Sequence, residues 1–150
     1  MDFYIILAIL NYVFSPDLGL DSEILDNQKK IQLFDMCKFN LDTKWTLVNR
    51  STRDGFGANI FHDKCGHISK SLTIIKTTYG HILGGYTEQT WGVYFFGFDS
   101  SYKPENVCDP NAFIFGFMNQ TKPVFLKVVN ENNAISRSPS YGPTFGKAAI

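Results

Sequence analysis

The run SLTIIKTTYGHILGGY, residues 71–86, contains two stretches that are rich in β-branched and aromatic side chains. Side chains of these types favour extended strands. The pair Tyr79-Gly80 separates the two stretches, and a short connection that contains glycine is typical of a tight turn. The run therefore predicts a β-hairpin, with strands at residues 71–78 and 81–86, and antiparallel pairing in the sheet around it.

The second strand of this hairpin contains the pair Gly84-Gly85. Glycine has no side chain to pack, so inside a strand it marks a bulge or a place where another group comes close to the backbone. We therefore expect a second backbone or a bulky ring to pass over these two residues. A cradle for a ligand is the less common use of such a pair.

Further β-prone runs lie on both sides of the hairpin. They occupy residues 45–48, 91–98, 112–118 and 123–129. Residues 99–110 contain Pro104 and Pro110 and are predicted to form the longest irregular stretch, because proline cannot donate a backbone hydrogen bond. Strands dominate and neither a repeat nor a linker is evident, so the pattern predicts one domain that is mainly β.

A helix is predicted from Asp26 to about Lys38, because the Asp26 side chain can accept hydrogen bonds from the free N–H groups of a first turn. Helical spacing places several apolar side chains of this segment on one face. They are Ile31, Leu33, Phe34, Met36 and Cys37. This one-sided helix needs a sheet to pack against.

A second short helix is predicted to begin after Gly55 and to end at Gly66. Phe56, Ile60 and Phe61 recur at helical spacing on its apolar side. Cys65 follows Phe61 by four residues and shares its face, so its thiol is predicted to be a small core group.

Composition excludes several classes of protein. A chain of 150 residues with 44% hydrophobic and 19% charged residues can bury a core, which excludes a wholly disordered protein. Fourteen basic residues balance fourteen acidic ones, and a nucleic-acid partner is not expected without a basic excess. Three widely spaced cysteines favour a reducing compartment, so an intracellular, cytoplasmic location is predicted.

The N-terminus is unusually apolar over residues 3–14. This run is too short for a membrane helix, which needs about 20 apolar residues, so no stable membrane span is predicted. Asp2 stands where a signal peptide would carry a basic residue. The glycosylation patterns at Asn49 and Asn119 keep secretion as a minor alternative. We interpret residues 1–20 as an apolar extension, buried or dispensable, and residues 21–150 as the domain.

His62, Cys65 and His67 lie within six residues and carry the side chains that zinc prefers. A structural zinc site needs four ligands in two pairs, and the sequence offers no second pair, so no metal is predicted. A reactive Cys65 thiol would need exposure and a lowered pKa, and burial is the more common state of a free cysteine. The sequence therefore predicts no catalytic residue, no metal and no cofactor.

The segment RSTRDGF, residues 50–56, places two guanidinium groups beside a carboxylate. Asp54 can cap the following helix or pair with Arg53, and either role is structural. The functional alternative is that Arg50 and Arg53 form an exposed pair that binds a carboxylate of a partner.

Four ordered segments carry a resemblance to a known family. They are WTLVNRSTRDGFGANIFHDKC at residues 45–65, SLTIIKTTYGHILGGYTEQTW at 71–91, DPNAFIFGF at 109–117 and NNAISRSPSYGPTFG at 132–146. In order and spacing they resemble the TLDc domain of the oxidation-resistance and nuclear-receptor-coactivator-like proteins. The resemblance covers residues 22–146.

The resemblance implies an α+β, mainly β fold, in which two antiparallel sheets form a β-sandwich with a few flanking helices. It also implies a non-enzymatic interaction module linked to resistance to oxidative damage, with the vacuolar proton-pumping ATPase as protein partner. The alternatives are a thiol-dependent antioxidant enzyme that uses Cys65 and a non-functional domain fragment. The candidate partner contacts or signature positions are Arg50, Arg53, Asp54, Phe56, His62, Gly84, Gly85, Asp109, Asn111 and Tyr141.

The chain departs from the family at its C-terminal end. TLDc domains continue past the GPTFG motif, whereas this chain ends at Ile150, so the closing strands of the sandwich are expected to be missing and the domain incomplete. Residues 91–98 and 112–118 carry seven Phe and Tyr rings. We expect these rings to be partly exposed to water, and the chain to be marginally stable and to associate through a sheet edge.

Overall fold

The computed structural model of the chain describes residues 20–39, 45–92, 104–117 and 123–146, together with the backbone of residues 2–5. The helices are α1 (Asn27–Cys37), α2 (Ser51–Asp54) and α3 (Ala58–Cys65). The strands are β1 (Asp2–Ile5), β2 (Ser71–Lys76), β3 (Ile82–Thr87), β4 (Glu105–Val107), β5 (Phe113–Phe117), β6 (Val124–Lys127), β7 (Ile135–Arg137) and β8 (Thr144–Phe145). A 3-10 turn, Glu131–Asn133, precedes β7.

The strands form two antiparallel sheets. The larger sheet has five strands in the order β1-β2-β3-β5-β6, and the smaller has three in the order β4-β7-β8. Every pairing within them is antiparallel. The predicted fold class, α+β and mainly β with two antiparallel sheets and flanking helices, is confirmed.

The predicted hairpin is present as β2 and β3, which pair from Ser71 with Thr87 to Lys76 with Ile82. The turn is closed by two backbone bonds, from the Thr77 N–H to the His81 carbonyl at 2.9 Å and from the Gly80 N–H to the Thr77 carbonyl at 3.0 Å. Gly80 has φ = 83°, a left-handed conformation that glycine adopts without strain. The turn chemistry therefore sets the register of the sheet's central pair.

The two glycines of β3 lie where other groups come close, as predicted. An added Cβ at Gly84 would lie 2.3 Å from both the Thr73 carbonyl oxygen and the Phe115 ring. At Gly85 it would lie 2.6 Å from the ring of Phe145, which belongs to β8 in the other sheet. Gly84 therefore leaves space for the Phe115 ring on one face of the larger sheet, and Gly85 leaves space for the Phe145 ring on the other face.

Helix α1 begins as predicted, because Oδ1 of Asp26 accepts a bond from the Lys29 N–H at 2.9 Å. It ends at Lys38, which takes a left-handed conformation. Leu33 and Phe34 are buried, but Ile31 is 50% exposed, so its predicted place on the packing face is wrong. Lys30 is buried instead and lies one turn before Phe34 on the same side of the helix.

Helix α3 also packs on the predicted face, with Phe61 and Cys65 buried. Phe56 does not belong to this face: it precedes the helix and is 55% exposed. The difference arises at Gly55, where φ = 111° turns the chain between α2 and α3. The short helix α2 was not predicted.

Several strand predictions are wrong or fall outside the described residues. Residues 45–48 have no regular structure, although Trp45 is buried in the core. Residues 105–107 form β4 inside the stretch predicted to be irregular, and β7 and β8 were not predicted at all. Only residues 91–92 of the predicted strand at 91–98 are described, and they are irregular.

Two hydrophobic clusters form the core. The first lies between α1 and one face of the larger sheet, and it includes Leu33, Phe34, Leu72, Ile74 and Phe115. The second lies on the other side and joins α3 to the smaller sheet. It consists of Phe61, Cys65, Trp91 and Ile135, with Val48, Val107 and Phe145 against it.

We expected the aromatic rings of β5 to be partly exposed to water, and this expectation is wrong. Phe113, Phe115 and Phe117 are 8%, 4% and 6% exposed, because all three face α1 and the first cluster. The exposed apolar side chains of this sheet are aliphatic and lie on its opposite face. They are Leu83, Ile114, Val124 and Leu126, and we call them the open apolar face. Within the described residues no helix is long and apolar enough to cross a bilayer.

Candidate functional site

Asp54, in the last turn of α2, organises the segment around it. Its carboxylate accepts bonds from Arg53 Nε at 2.8 Å and Nη2 at 2.7 Å, and from the Arg50 N–H at 2.9 Å. Lys64 Nζ lies 3.3 Å away. Asp54 thus pairs with Arg53 as predicted, and it accepts a hydrogen bond from the N–H of Arg50, the residue before α2. It does not cap α3, whose N-terminus has no side-chain cap. The hydrogen bond from Arg53 holds the pKa of this carboxyl well below its usual range.

Arg50 and Arg53 do not form one exposed pair. The Arg50 guanidinium is largely buried and pairs with Asp21, at 2.7 Å from Nη2, and with Glu23. It therefore ties the segment before α1 to the start of α2. Arg53 is half-exposed and is held by Asp54. Each guanidinium has an acidic partner within the chain, which weakens the hypothesis that the two together bind a partner's carboxylate.

His62 joins α3 to the loop before β8. Its Nε2 lies 2.8 Å from the Ser138 carbonyl oxygen and 2.9 Å from that of Tyr141, and its Nδ1 lies 3.1 Å from the Trp91 carbonyl oxygen. A ring N–H donates to a carbonyl in such contacts. The imidazole therefore positions the loop that carries Tyr141.

Asp109 and Asn111 connect the end of β3 to the start of β5. The buried Asp109 carboxylate accepts bonds from the Thr87 hydroxyl at 2.6 Å and from the Glu88 N–H at 2.7 Å. Asn111 Nδ2 donates to Glu88 Oε2 at 3.0 Å. These contacts assign both residues to the framework of the sheet.

The structure separates the three side chains that suggested zinc. Cys65 is fully buried, His67 is exposed and His62 is bonded to backbone carbonyls. Among the described residues no group of three potential metal ligands is found. Burial raises the pKa of the Cys65 thiol to about 12, so the prediction of a core cysteine agrees with its surroundings.

A pocket of about 180 Å³ opens where the segment 49–58 meets the loop 140–143. Phe56 and Tyr141 both line it and are 55% and 57% exposed, so two aromatic rings stand at its rim. We call it the Phe56–Tyr141 pocket. The candidate residues Phe56 and Tyr141, 85 positions apart in the chain, are brought together here by the fold.

Polar groups also line this pocket. Asn49 is 2% exposed, and its Oδ1 has no hydrogen-bond partner among the described residues. Gly57 and Ala58, at the uncapped N-terminus of α3, form another part of the wall. Sequence reasoning missed Asn49 and Gly57 as site residues, since neither differs locally from an ordinary loop residue.

The other candidate positions lie elsewhere and hold the fold together. Most of them have the structural contacts given above: Arg50, Asp54, His62, Gly84, Gly85, Asp109 and Asn111. Arg53 lies within the segment 49–58 that borders the pocket, and its side chain pairs with Asp54. A larger groove of about 570 Å³ beside the open apolar face contains none of the candidates. The Phe56–Tyr141 pocket therefore brings together two of the candidate residues.

Comparison with known proteins gives one clear result. Neither the characterised proteins nor the solved structures contain a significant match to this chain. Residues 19–149, however, match the TLDc domain, and that span contains both sheets except β1, all three helices and the Phe56–Tyr141 pocket. The chain therefore belongs to the TLDc domain family.

Proposed function

We propose that this chain is a non-catalytic, cytoplasmic interaction module that binds the vacuolar proton-pumping ATPase and contributes to resistance against oxidative damage. The partner and the link to oxidative damage rest on the family resemblance. The observation that supports a binding role is the pair of half-exposed rings at the pocket rim, Phe56 and Tyr141. Exposed aromatic residues are enriched where proteins bind one another and supply much of the binding energy.

The environment of Cys65 argues against the thiol-enzyme alternative. A nucleophilic thiol must reach its substrate and ionise near neutral pH. Cys65 is fully buried, and burial raises its pKa to about 12. In the native protein, we expect a thiol reagent to label the exposed Cys108 and to leave Cys65 unmodified. Rapid labelling of Cys65 in the native protein, together with loss of protection against oxidative damage in Cys65→Ser, would support the thiol-enzyme alternative instead.

The proposed function is tested by binding of the full chain to purified vacuolar ATPase. We expect the double variant Phe56→Ala/Tyr141→Ala to bind at least tenfold more weakly, since two anchor rings are removed. Tyr79→Ala is the matched control, because Tyr79 is 88% exposed at the hairpin turn. Equal binding by all three proteins would remove the pocket from the interface. No binding by any of them would reject this partner and favour a non-functional fragment.

A further inference from the structure

We propose that His62 is a proton-dependent clamp that joins α3 to the backbone at Trp91 and to the turn that carries Tyr141. With both ring nitrogens protonated, the imidazolium donates to carbonyls on its two sides. When the ring loses one proton, the bond to Trp91 is lost. The inference goes beyond the proposed function and does not depend on which partner the chain binds.

Both nitrogens of the His62 ring face acceptors. Nδ1 lies 3.1 Å from the Trp91 carbonyl oxygen, and Nε2 lies 2.8 Å and 2.9 Å from those of Ser138 and Tyr141. A carbonyl oxygen only accepts, so each contact is a hydrogen bond only when the ring nitrogen carries a hydrogen. A neutral imidazole has one N–H, whereas the imidazolium has two. Only the charged ring therefore satisfies both sides.

The carbonyls that Nε2 contacts belong to one turn. The Tyr141 N–H donates to the Ser138 carbonyl at 3.2 Å and closes this turn, and Nε2 contacts the carbonyls at its two ends. The residues on both sides of the ring are buried, since Trp91 is 1% exposed and Ser138 is 5% exposed. Acceptors without a partner are costly in such surroundings, so a ring that bonds both sides stabilises the fold.

The position of His62 on α3 also favours the charged ring. His62 lies in the last turn of this helix, where the helix dipole is negative and stabilises a cation. The side chain is half-buried, so the ring can exchange a proton with water. Histidine is the side chain whose charge ordinarily changes between about pH 5 and pH 8. The clamp therefore responds to pH in the physiological range.

Among the described residues, the hydrogen-bond contacts of the ring are with backbone oxygens and not with a carboxylate. The nearby cations have acidic partners, since Lys64 lies 3.3 Å from Asp54 and Arg137 lies 3.3 Å from Glu105. The buried Cys65 thiol is uncharged. The other titratable groups on the surrounding elements are Asp63 on α3, Tyr141 on the turn and Glu88 before Trp91. The backbone carbonyls therefore hold the proton on His62.

Loss of the proton should affect one side of the ring. Nε2 has two acceptors at short distances and Nδ1 has one at 3.1 Å, so the remaining hydrogen stays on Nε2. The proton leaves Nδ1 for water, and the bond to the Trp91 carbonyl is lost. The ring and the turn then remain together but are no longer fixed to residue 91. Because Tyr141 lines the Phe56–Tyr141 pocket, the rim of the pocket is held most firmly at low pH.

The first test is an NMR titration of the ¹³C,¹⁵N-labelled full chain from about pH 5.5 to about pH 8.5. We expect both ring nitrogens of His62 to carry hydrogen at the lower pH and Nδ1 to lose its hydrogen as the pH rises. The ¹³C signal of the Trp91 carbonyl should shift in the same titration, and that of Ser138 should shift less. A ring that keeps one protonation state throughout, or loses the hydrogen from Nε2, would overturn the proposal.

The second test compares the unmodified chain with His62→Gln. A glutamine amide donates on one side only and so resembles the neutral ring. Protonation is favoured in the folded state, so the stabilisation is present at low pH and lost as the pH rises. Relative to His62→Gln, the unfolding equilibrium constant of the unmodified chain should fall about tenfold from about pH 8.5 to about pH 5.5, which corresponds to one charged hydrogen bond.

His67→Gln is the matched control, because His67 is an exposed histidine close to His62 in the chain. The gap in unfolding free energy between His67→Gln and the unmodified chain should not change with pH. Urea unfolding at each pH measures both gaps. A constant gap for His62→Gln would overturn the clamp. The NMR titration needs no variant, so it decides the question even if His62→Gln does not fold.

Discussion

At the scale of single residues, the fold depends on places where a side chain is absent or fully paired. Gly84 leaves space for the Phe115 ring on one face of the sheet, and Gly85 leaves space for Phe145 on the other. Asp54 has the opposite role, because its carboxylate gathers three donors into one turn. Substitutions at both kinds of position should therefore change the free energy of unfolding measurably.

Gly84→Ala should lower the free energy of unfolding by about 3 kcal/mol, because the new methyl meets a backbone carbonyl that cannot rotate away. Gly85→Ala should cost less, since only the side chain of Phe145 has to move. Gly142→Ala is the control, as nothing lies within 4 Å of its added Cβ. Urea unfolding measures all three. Equal midpoints for Gly84→Ala and Gly142→Ala would contradict the close approach.

Asp54→Asn should reduce stability in a way that depends on pH. The folded pKa of Asp54 lies below the unfolded value of about 3.9, so the carboxylate stabilises the fold fully above that pH. The stabilisation is lost as the pH falls through the folded pKa. The gap in unfolding free energy between the two proteins should therefore be constant from pH 7 to pH 5 and shrink below about pH 4.

Asp35→Asn is the matched control for this pH series. Its carboxylate pairs with Lys38 at 3.0 Å, but both side chains are about 80% exposed and contribute little to stability. A gap for Asp54→Asn that persists unchanged at pH 3 would show that the carboxylate charge is not the stabilising feature.

At the scale of secondary structure elements, β3 and β5 are joined by a buried carboxylate as well as by their ladder. Strand β3 pairs with β5 from Ile82 with Phe117 to Tyr86 with Phe113. Beyond the end of this ladder, Asp109 binds the Thr87 hydroxyl and the Glu88 N–H. The carboxylate thus continues the connection where backbone pairing stops.

Asp109→Ala should lower the free energy of unfolding by about 3 kcal/mol, because it leaves buried donors without a partner. Asn111→Ala removes an exposed hydrogen bond to Glu88 from the same loop and should cost less than about 0.5 kcal/mol. Thermal melts of both variants measure the difference. Similar losses for the two would show that the loop, and not the buried carboxylate, joins the strands.

At the scale of the whole molecule, the larger sheet is covered unequally. One face packs against α1 and the first cluster, while the open apolar face is partly exposed beside the groove of about 570 Å³. Strand β6 is the last strand of this sheet among the described residues. An edge strand next to exposed apolar side chains favours association between copies, and a formal charge of +0 gives no net repulsion.

We therefore expect the chain to self-associate and to bind a hydrophobic dye. Leu126→Lys should weaken self-association about tenfold, because it replaces a 55% exposed leucine of the open apolar face with a charge. Tyr79→Lys is the control on a different surface. Sedimentation velocity over a concentration series measures the effect. A monomer at every concentration, with no dye binding, would contradict the expectation.

Local chemistry was sufficient to predict much of the fold. The hairpin followed from a glycine turn between two β-prone runs, α1 from the Asp26 cap, and the buried face of α3 from the spacing of Phe61 and Cys65. Gly84 and Gly85 predicted a close approach because glycine inside a strand has few other uses. In each case the signal lies within a few residues of the feature that it predicts.

Long-range packing determined the features of the fold that local chemistry could not predict. The short strands β4, β7 and β8 exist because each pairs with a distant partner, and Trp45 is buried without belonging to a strand. The pocket arises because His62 holds the Tyr141 loop against the segment that carries Phe56. The sequence around Phe56 does not indicate that Tyr141 lies near it, since the two residues come to the same pocket only through the packing of the two sheets and α3. The family and the hairpin could therefore be predicted from the sequence, whereas the candidate site forms only when the chain folds.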